Sequence, residues 1–155
     1  LFPYTTLFRA VKEQAGYNKK IYCTDNGMAV ASGFRFSENR GALYENLVAI
    51  ALKKQEISGR CSIFYWKSSN NEEVDFVVKE GLNVSQLIQV CSDISNPQTM
   101  KREMRALVKA SRELNCNNLI LLNDRADRIE KFKWQDAESV IRLMPLWQWL
   151  EEEKL

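Results

Sequence analysis

The sequence predicts an α/β domain with a mixed central sheet flanked by helices. Three observations carry that expectation. Two long segments, Gly41–Lys54 and Gln98–Asn115, repeat apolar residues at helical spacing. Between them lie three short runs rich in β-branched and aromatic residues, CSIFYWK, EVDFVVK and QLIQVCS. The second helix is followed by NLILL, a short apolar run of the kind a buried strand gives.

The chain opens on Leu1–Arg9 (LFPYTTLFR), which has neither a cap nor a period. It resembles translated adapter sequence at the end of a reading frame; the alternative is a peptide of an upstream domain. On either reading the chain begins in mid-protein, so residues 1–19 form an upstream segment and 20–155 the domain. Leu1–Arg9 is expected to touch the core little. Ala10–Ala15 reads as the end of a helix stopped by Gly16. Lys20–Thr24 (KIYCT) is a short β-like run closed by Asp25-Asn26-Gly27.

In Gly41–Lys54 the apolar positions are Leu43, Leu47, Ile50 and Ala51, and Lys53-Lys54 suit the negative end of the helix dipole. The strands Cys61–Lys67, Glu73–Lys79 and Gln86–Ser92 are separated by Ser68–Asn71 and by a turn opening on Glu80-Gly81, short enough for an antiparallel meander. Asn96 suits the cap of the next helix and Pro97 its first position. Met100, Met104, Leu107, Val108 and Leu114 make its stripe. A strand over Asn118–Leu122 follows. Asn123–Asp136 is polar and expected to be exposed, Val140–Met144 is a last strand, and Pro145 starts a short helix, LWQWLEEE.

Composition removes several function classes. The chain has 155 residues, 45% hydrophobic, and a net charge of +2, which argues against a strongly electrostatic nucleic-acid binder while leaving room for a local basic patch. It has no histidine, which removes Ser-His-Asp and Cys-His catalysis and His-ligated metals. Cys23, Cys61, Cys91 and Cys116 form no C-x-x-C pair, so a zinc or thioredoxin-like site is not expected. With no signal peptide or long apolar run, they read as reduced thiols of a cytoplasmic protein without a membrane partner. No G-x-x-x-x-G-K-[ST] loop is present, so the chain carries no ATPase site of its own.

Asp75 draws the chemistry. Alternation puts Val74, Phe76 and Val78 on one face of the strand and Asp75 and Val77 on the other. An acid in so apolar a strand is costly unless it is paired, protonated or bound to a metal. In the next strand Ile88 and Val90 point one way and Leu87, Gln89 and Cys91 the other. Pairing would bring Asp75 near Gln89 if their faces coincide, and Glu45 of the first helix could join them.

A helix with Glu, a strand with Asp and a strand with Glu-x-Lys make the PD-(D/E)XK nuclease pattern. More closely, RGALYENLVAIAL, YWKSSNNEEVDFVV, LIQVCSDI and NPQTMKREMRAL resemble a domain of unknown function found C-terminal to the ATPase module of many prokaryotic AAA-family ATPases. The resemblance covers roughly Lys20–Leu150. It implies a nuclease-like fold, an ATPase module in the same parent chain, and DNA as a candidate partner. Carried over, Glu45 matches the helix Glu and Asp75 the metal-binding Asp. Gln89 stands at the second acid and Cys91 at the lysine. Such a site holds Mg²⁺ on carboxylate oxygens, the metal activates a water, and the lysine offsets charge at the phosphate. Here Gln89 brings no charge and Cys91 no ammonium, so the resemblance implies a degenerate catalytic site with at most weak metal binding at Asp75 and Glu45. Lys67 and Lys101 are candidates for a relocated lysine. The competing reading of the same residues is a buried polar cluster, with Arg102 as a candidate member, that fixes strand register.

Three function classes follow: an accessory nuclease-like domain of an ATPase, an active Mg²⁺-dependent endonuclease, and a protein-interaction module. The run MKREMRALVKASRE offers Lys101, Arg102 and Arg105, with Lys109 and Arg112, as a phosphate-contacting stripe, or a solvated face interrupted by Glu103 and Glu113. Trp147 and Trp149 offer a contact patch or the packing of the last helix. Cys91 is expected to be an inert thiol with a raised pKa.

Overall fold

The computed structural model describes residues 6–7, 20–27, 40–135 and 137–153. Its elements are β1 (Thr6–Leu7), α1 (Arg40–Ile57), β2 (Ser62–Lys67), β3 (Glu73–Glu80), β4 (Asn83–Val90), α2 (Pro97–Leu114), β5 (Leu119–Asn123), β6 (Arg128–Trp134), β7 (Ala137–Pro145) and α3 (Leu146–Glu152). They build one mixed sheet in the order β1-β2-β3-β4-β5-β7-β6.

Turn chemistry sets the first half. Strands β2, β3 and β4 form the expected antiparallel meander. Glu80 pairs with Asn83, so the second connection is the two residues Gly81-Leu82, and Gly81 takes φ 58° there, a left-handed value open to glycine. The chain then crosses through α2 and returns as β5, parallel to β4. Helix α2 is bounded as its sequence predicts. The Asn96 side chain accepts from the N–H of Gln98 at 2.9 Å and of Thr99 at 3.4 Å, Pro97 follows, and Asn115 ends the helix at φ 52°.

Helices cover both faces of the sheet. Val48 and Leu52 of α1 and Leu146 and Trp149 of α3 pack on Phe76, Val78, Ile88, Leu122 and Met144. On the other face Met104, Leu107 and Val108 of α2 pack on Val77, Leu87, Leu121, Ile141 and Leu143. Strand β5 is buried along its whole length because both of its faces are covered.

Several expectations change. The stretch Asn123–Asp136, read as exposed and polar, contains β6, an edge strand antiparallel to β7. Its Phe132 and Trp134 pack toward the α2 core while Lys131 and Lys133 face solvent, so the charges of one face hid the alternation of the other. Lys20–Thr24 is not a strand: only Tyr22 makes a bridge. Thr6–Leu7 does belong to an element, against the expectation for Leu1–Arg9, because it pairs in parallel with Phe64 and Tyr65 of β2. The helix end expected at Ala10–Ala15 lies outside the described residues.

The change that matters most for the site is in β3. Phe64 pairs with Val77 but Trp66 pairs with Val74, so Asp75 and Phe76 stand opposite the single residue Tyr65. This is a β-bulge. It breaks the expected alternation: Val74 and Val77 face α2, whereas Phe76 and Val78 face α1.

Candidate functional site

The bulge turns the Asp75 carboxylate toward α1, where Glu45 and Lys20 meet it. Lys20 Nζ donates to Asp75 Oδ1 at 2.8 Å and to Glu45 Oε1 at 2.9 Å. The Tyr22 hydroxyl donates to the same Glu45 oxygen at 2.8 Å. The backbone N–H of Val90 donates to Asp75 Oδ2 at 3.0 Å. Glu45 and Asp75 therefore converge as expected, but on a lysine that the sequence reading passed over.

Local structure explains how Lys20 arrives. Asn46, the residue after Glu45, is buried, and its side chain clamps Cys23 from both sides. It accepts from the Cys23 N–H at 2.7 Å and donates to the Cys23 carbonyl at 3.0 Å. Tyr22 is buried with its ring 5.7 Å from that of Phe76. In an extended segment residues two apart share a side, so anchoring Tyr22 carries Lys20 to the acid pair and leaves Ile21 exposed. That period in KIYCT was the available signal.

The electrostatics follow from burial. Burial works against the Lys20 ammonium, but the Asp75 and Glu45 carboxylates outweigh it and raise its pKa. For Asp75, burial pushes the carboxyl up to about 6, against the pull of Lys20 and with that of Glu45. The two directions oppose each other, since one favours the ion pair and the other the neutral acid. The geometry decides for the ion pair at neutral pH: both Asp75 oxygens face donors, and about 6 lies below 7.

Gln89 stands apart from this pair. Its side chain lies on the α2 side, as Leu87 does, and the faces of Asp75 and Gln89 do not coincide. Gln89 Oε1 accepts from the Asp75 backbone N–H at 3.1 Å, and its amide donates to Glu103 Oε2 at 2.8 Å. Glu103 is buried and is held on its other oxygen by Arg102 at 2.6 Å. The expected link from Asp75 to Gln89 thus runs through a backbone N–H, because the bulge rotates the carboxylate away. Arg102 does join the cluster, by way of Glu103. Cys91 packs against the α2 core, and its thiol contacts the Asp93 carbonyl. Burial, then the nearby Glu103 charge, raises its pKa, as expected of an inert thiol.

The other candidates divide in the same way. Lys67 pairs with Glu73 at 2.6 Å, and Lys101 is exposed on α2. Arg105 and Lys109 both bind Glu72 and lie over the Trp134 ring, at 5.2 and 5.6 Å from its centre. Burial works to raise the Glu72 pKa, but hydrogen bonds from Lys109 and Arg105 outweigh it and lower the value. Much of the α2 stripe is thus spoken for by the protein's own carboxylates. Trp149 packs in the core and Trp147 is exposed. All four cysteines are free thiols. Among the described residues no helix is long and apolar enough to cross a membrane.

The donor set does not suit a divalent cation. Mg²⁺ is commonly held by one or two carboxylates and keeps several waters, so the place between the carboxylates must be open to it. Two carboxylates are present, and an ammonium already bridges them. The Gln89 carbonyl oxygen is occupied by the Asp75 N–H. Among the described residues no group of three acid or cysteine side chains gathers as metal ligands would.

Comparison with known proteins adds a family. The profile of the family described as Domain of unknown function (DUF4143) matches residues 40–149. The uncharacterized protein MJ1544 of Methanocaldococcus jannaschii is 37% identical over 134 residues, which cover 84% of this chain and 29% of that protein. No solved structure matches the chain.

Proposed function

The chain belongs to the DUF4143 family, and we propose that it is a non-cleaving accessory domain of a larger ATPase, built on a nuclease-like scaffold whose acid site Lys20 has closed. One observation carries the reading. Lys20 Nζ lies between Glu45 and Asp75, at 2.9 and 2.8 Å, where a catalytic cation would have to sit. Supporting it are the element order α1-β2-β3-β4-α2-β5, which follows the helix–strand–strand order of the PD-(D/E)XK pattern, and the acid of β3 turned toward the Glu of α1. Gln89 and Cys91 supply neither a second acid nor an ammonium to that pair. The ATPase partnership rests on the resemblance of the quoted segments, and the much longer relative leaves room for a further domain.

The same ammonium favours a second reading, a Mg²⁺-dependent DNA endonuclease in which Lys20 is the relocated lysine. A plasmid-nicking assay with Mg²⁺ and with Mn²⁺ separates the two. The accessory reading expects no metal-dependent nicking by the wild type. Nicking that both Asp75→Ala and Lys20→Ala abolish would overturn it in favour of the endonuclease. The ATPase half is tested by the coding sequence upstream of this domain: a Walker A motif there supports it, and its absence overturns it.

A further inference from the structure

A cavity of about 670 Å³ opens away from the acid pair, at the carboxyl ends of β4 and β5. Residues 92–95 leave the sheet there for α2, and residues 123–126 turn toward β6. In open α/β sheets, ligands settle at the carboxyl ends of parallel strands, and β4 and β5 are parallel neighbours. None of Lys20, Glu45 and Asp75 lines this cavity.

Its lining favours an anion. Arg40, Arg125 and Arg128 all face it. Arg125 has no carboxylate partner among the described residues. Arg40 is 76% exposed in its side chain and only grazes Asp124, at 3.9 Å. Arg128 shares its Nε with Glu130 at 2.7 Å, which leaves its terminal nitrogens without a carboxylate among the described residues. Two aspartates also line the cavity and keep their charge, so the three guanidiniums lead by one. Asp93 accepts from the Ser95 N–H at 2.8 Å, and Asp124 accepts from the Tyr44 hydroxyl.

Helix dipoles add to the field. Arg40 is the first residue of α1, and Ser95 lies just before the cap of α2. Both helices have 18 residues, and neither has an acidic residue in its first turn. Asn96 occupies two of the N–H groups of α2, yet the positive ends of both dipoles remain directed toward this side of the sheet. The hydroxyls of Ser92 and Ser95 complete a polar lining.

We propose that this cavity binds a phosphate group, held by Arg125, Arg128 and Arg40, from either a nucleotide or a nucleic-acid backbone. Planar guanidiniums suit phosphate because they offer paired donors. The site is independent of the acid pair, so it stands or falls apart from the accessory-domain reading.

Titration calorimetry tests it with three probes at low salt: inorganic phosphate, adenosine monophosphate and a short DNA duplex. The proteins are the wild type, Arg125→Ala/Arg128→Ala, and a control, Lys131→Ala/Lys133→Ala, on the solvent face of β6. At least one probe is expected to bind the wild type. The arginine variant should bind it roughly tenfold or more weakly, as loss of charged hydrogen bonds implies, with the control unchanged. Tighter binding of the duplex assigns the backbone, and tighter binding of the monophosphate assigns a nucleotide. The arginines are exposed, so the variants should keep the melting temperature of the wild type. The single change Arg125→Ala, which removes no ion pair among the described residues, serves if Arg128 proves structural. The proposal is overturned if no probe binds at millimolar concentration, if the arginine variants bind as the wild type does, or if the control loses as much.

Discussion

Lys20 and Asp75 are 55 positions apart in sequence, yet the ammonium of one lies 2.8 Å from the carboxylate of the other. Removing that ammonium leaves two carboxylates facing each other in a largely buried place. Lys20→Met should therefore destabilise the fold by about 2–3 kcal/mol, below the range for a fully buried pair because the lysine keeps some exposure. Unfolding in urea would measure it. Adding Mn²⁺ should return part of the loss in the variant and nothing in the wild type. A variant as stable as the wild type would show that the bridge holds nothing together.

The pH dependence has a definite sign. The carboxyl of Asp75 rises on folding from 3.8 to about 6, so the folded state binds its proton more tightly. The stability this contributes is full below 3.8 and is lost as pH rises through about 6. The pKa of Lys20 also rises, so its contribution is lost only in strong alkali and is constant across this window. The stability of the wild type relative to Asp75→Asn should grow as pH falls from about 7 to about 4. A difference that stays level across that range would remove the buried-acid account.

Position 89 should resist an acid. Gln89 bridges the Asp75 N–H and the Glu103 carboxylate, which it meets at 2.8 Å. Gln89→Glu sets two carboxylates against each other there, so it should destabilise by about 1–3 kcal/mol at neutral pH. Acidification should recover much of that loss, as one carboxyl of the new pair takes up a proton. Melting curves at neutral and mildly acidic pH test this, and an unchanged melting temperature at both would sink it.

The cap of α2 is a local test of the fold. The Asn96 side chain is exposed and serves two helix N–H groups. Asn96→Ala should cost about 1 kcal/mol, and Asn96→Asp should cost much less. Chemical denaturation of the two variants separates the cap from any packing role.

Much of the architecture was written locally. Asn96-Pro97 and Asn115 bound α2, Gly81 sets the tight turn, and the apolar run of β5 announces burial on both faces. These features act within one element or one turn, so the sequence alone determined them, along with the oddity of an acid in β3. The side on which that acid lies was decided elsewhere. Tyr65 of β2 faces two residues of β3, and this extra residue comes from how neighbouring strands pair, a competition no single strand encodes. Lys20 reached Asp75 only because Asn46 clamps Cys23 and Phe76 packs on Tyr22, and Glu103 met Gln89 only once α2 lay on the sheet. Edge strand β6 stayed hidden because its solvent face carries the charges while its inner face finds a partner only in the folded core. Local periodicity reports what an element exposes, whereas the partners of a buried charge are chosen by the packing of elements far apart in the chain.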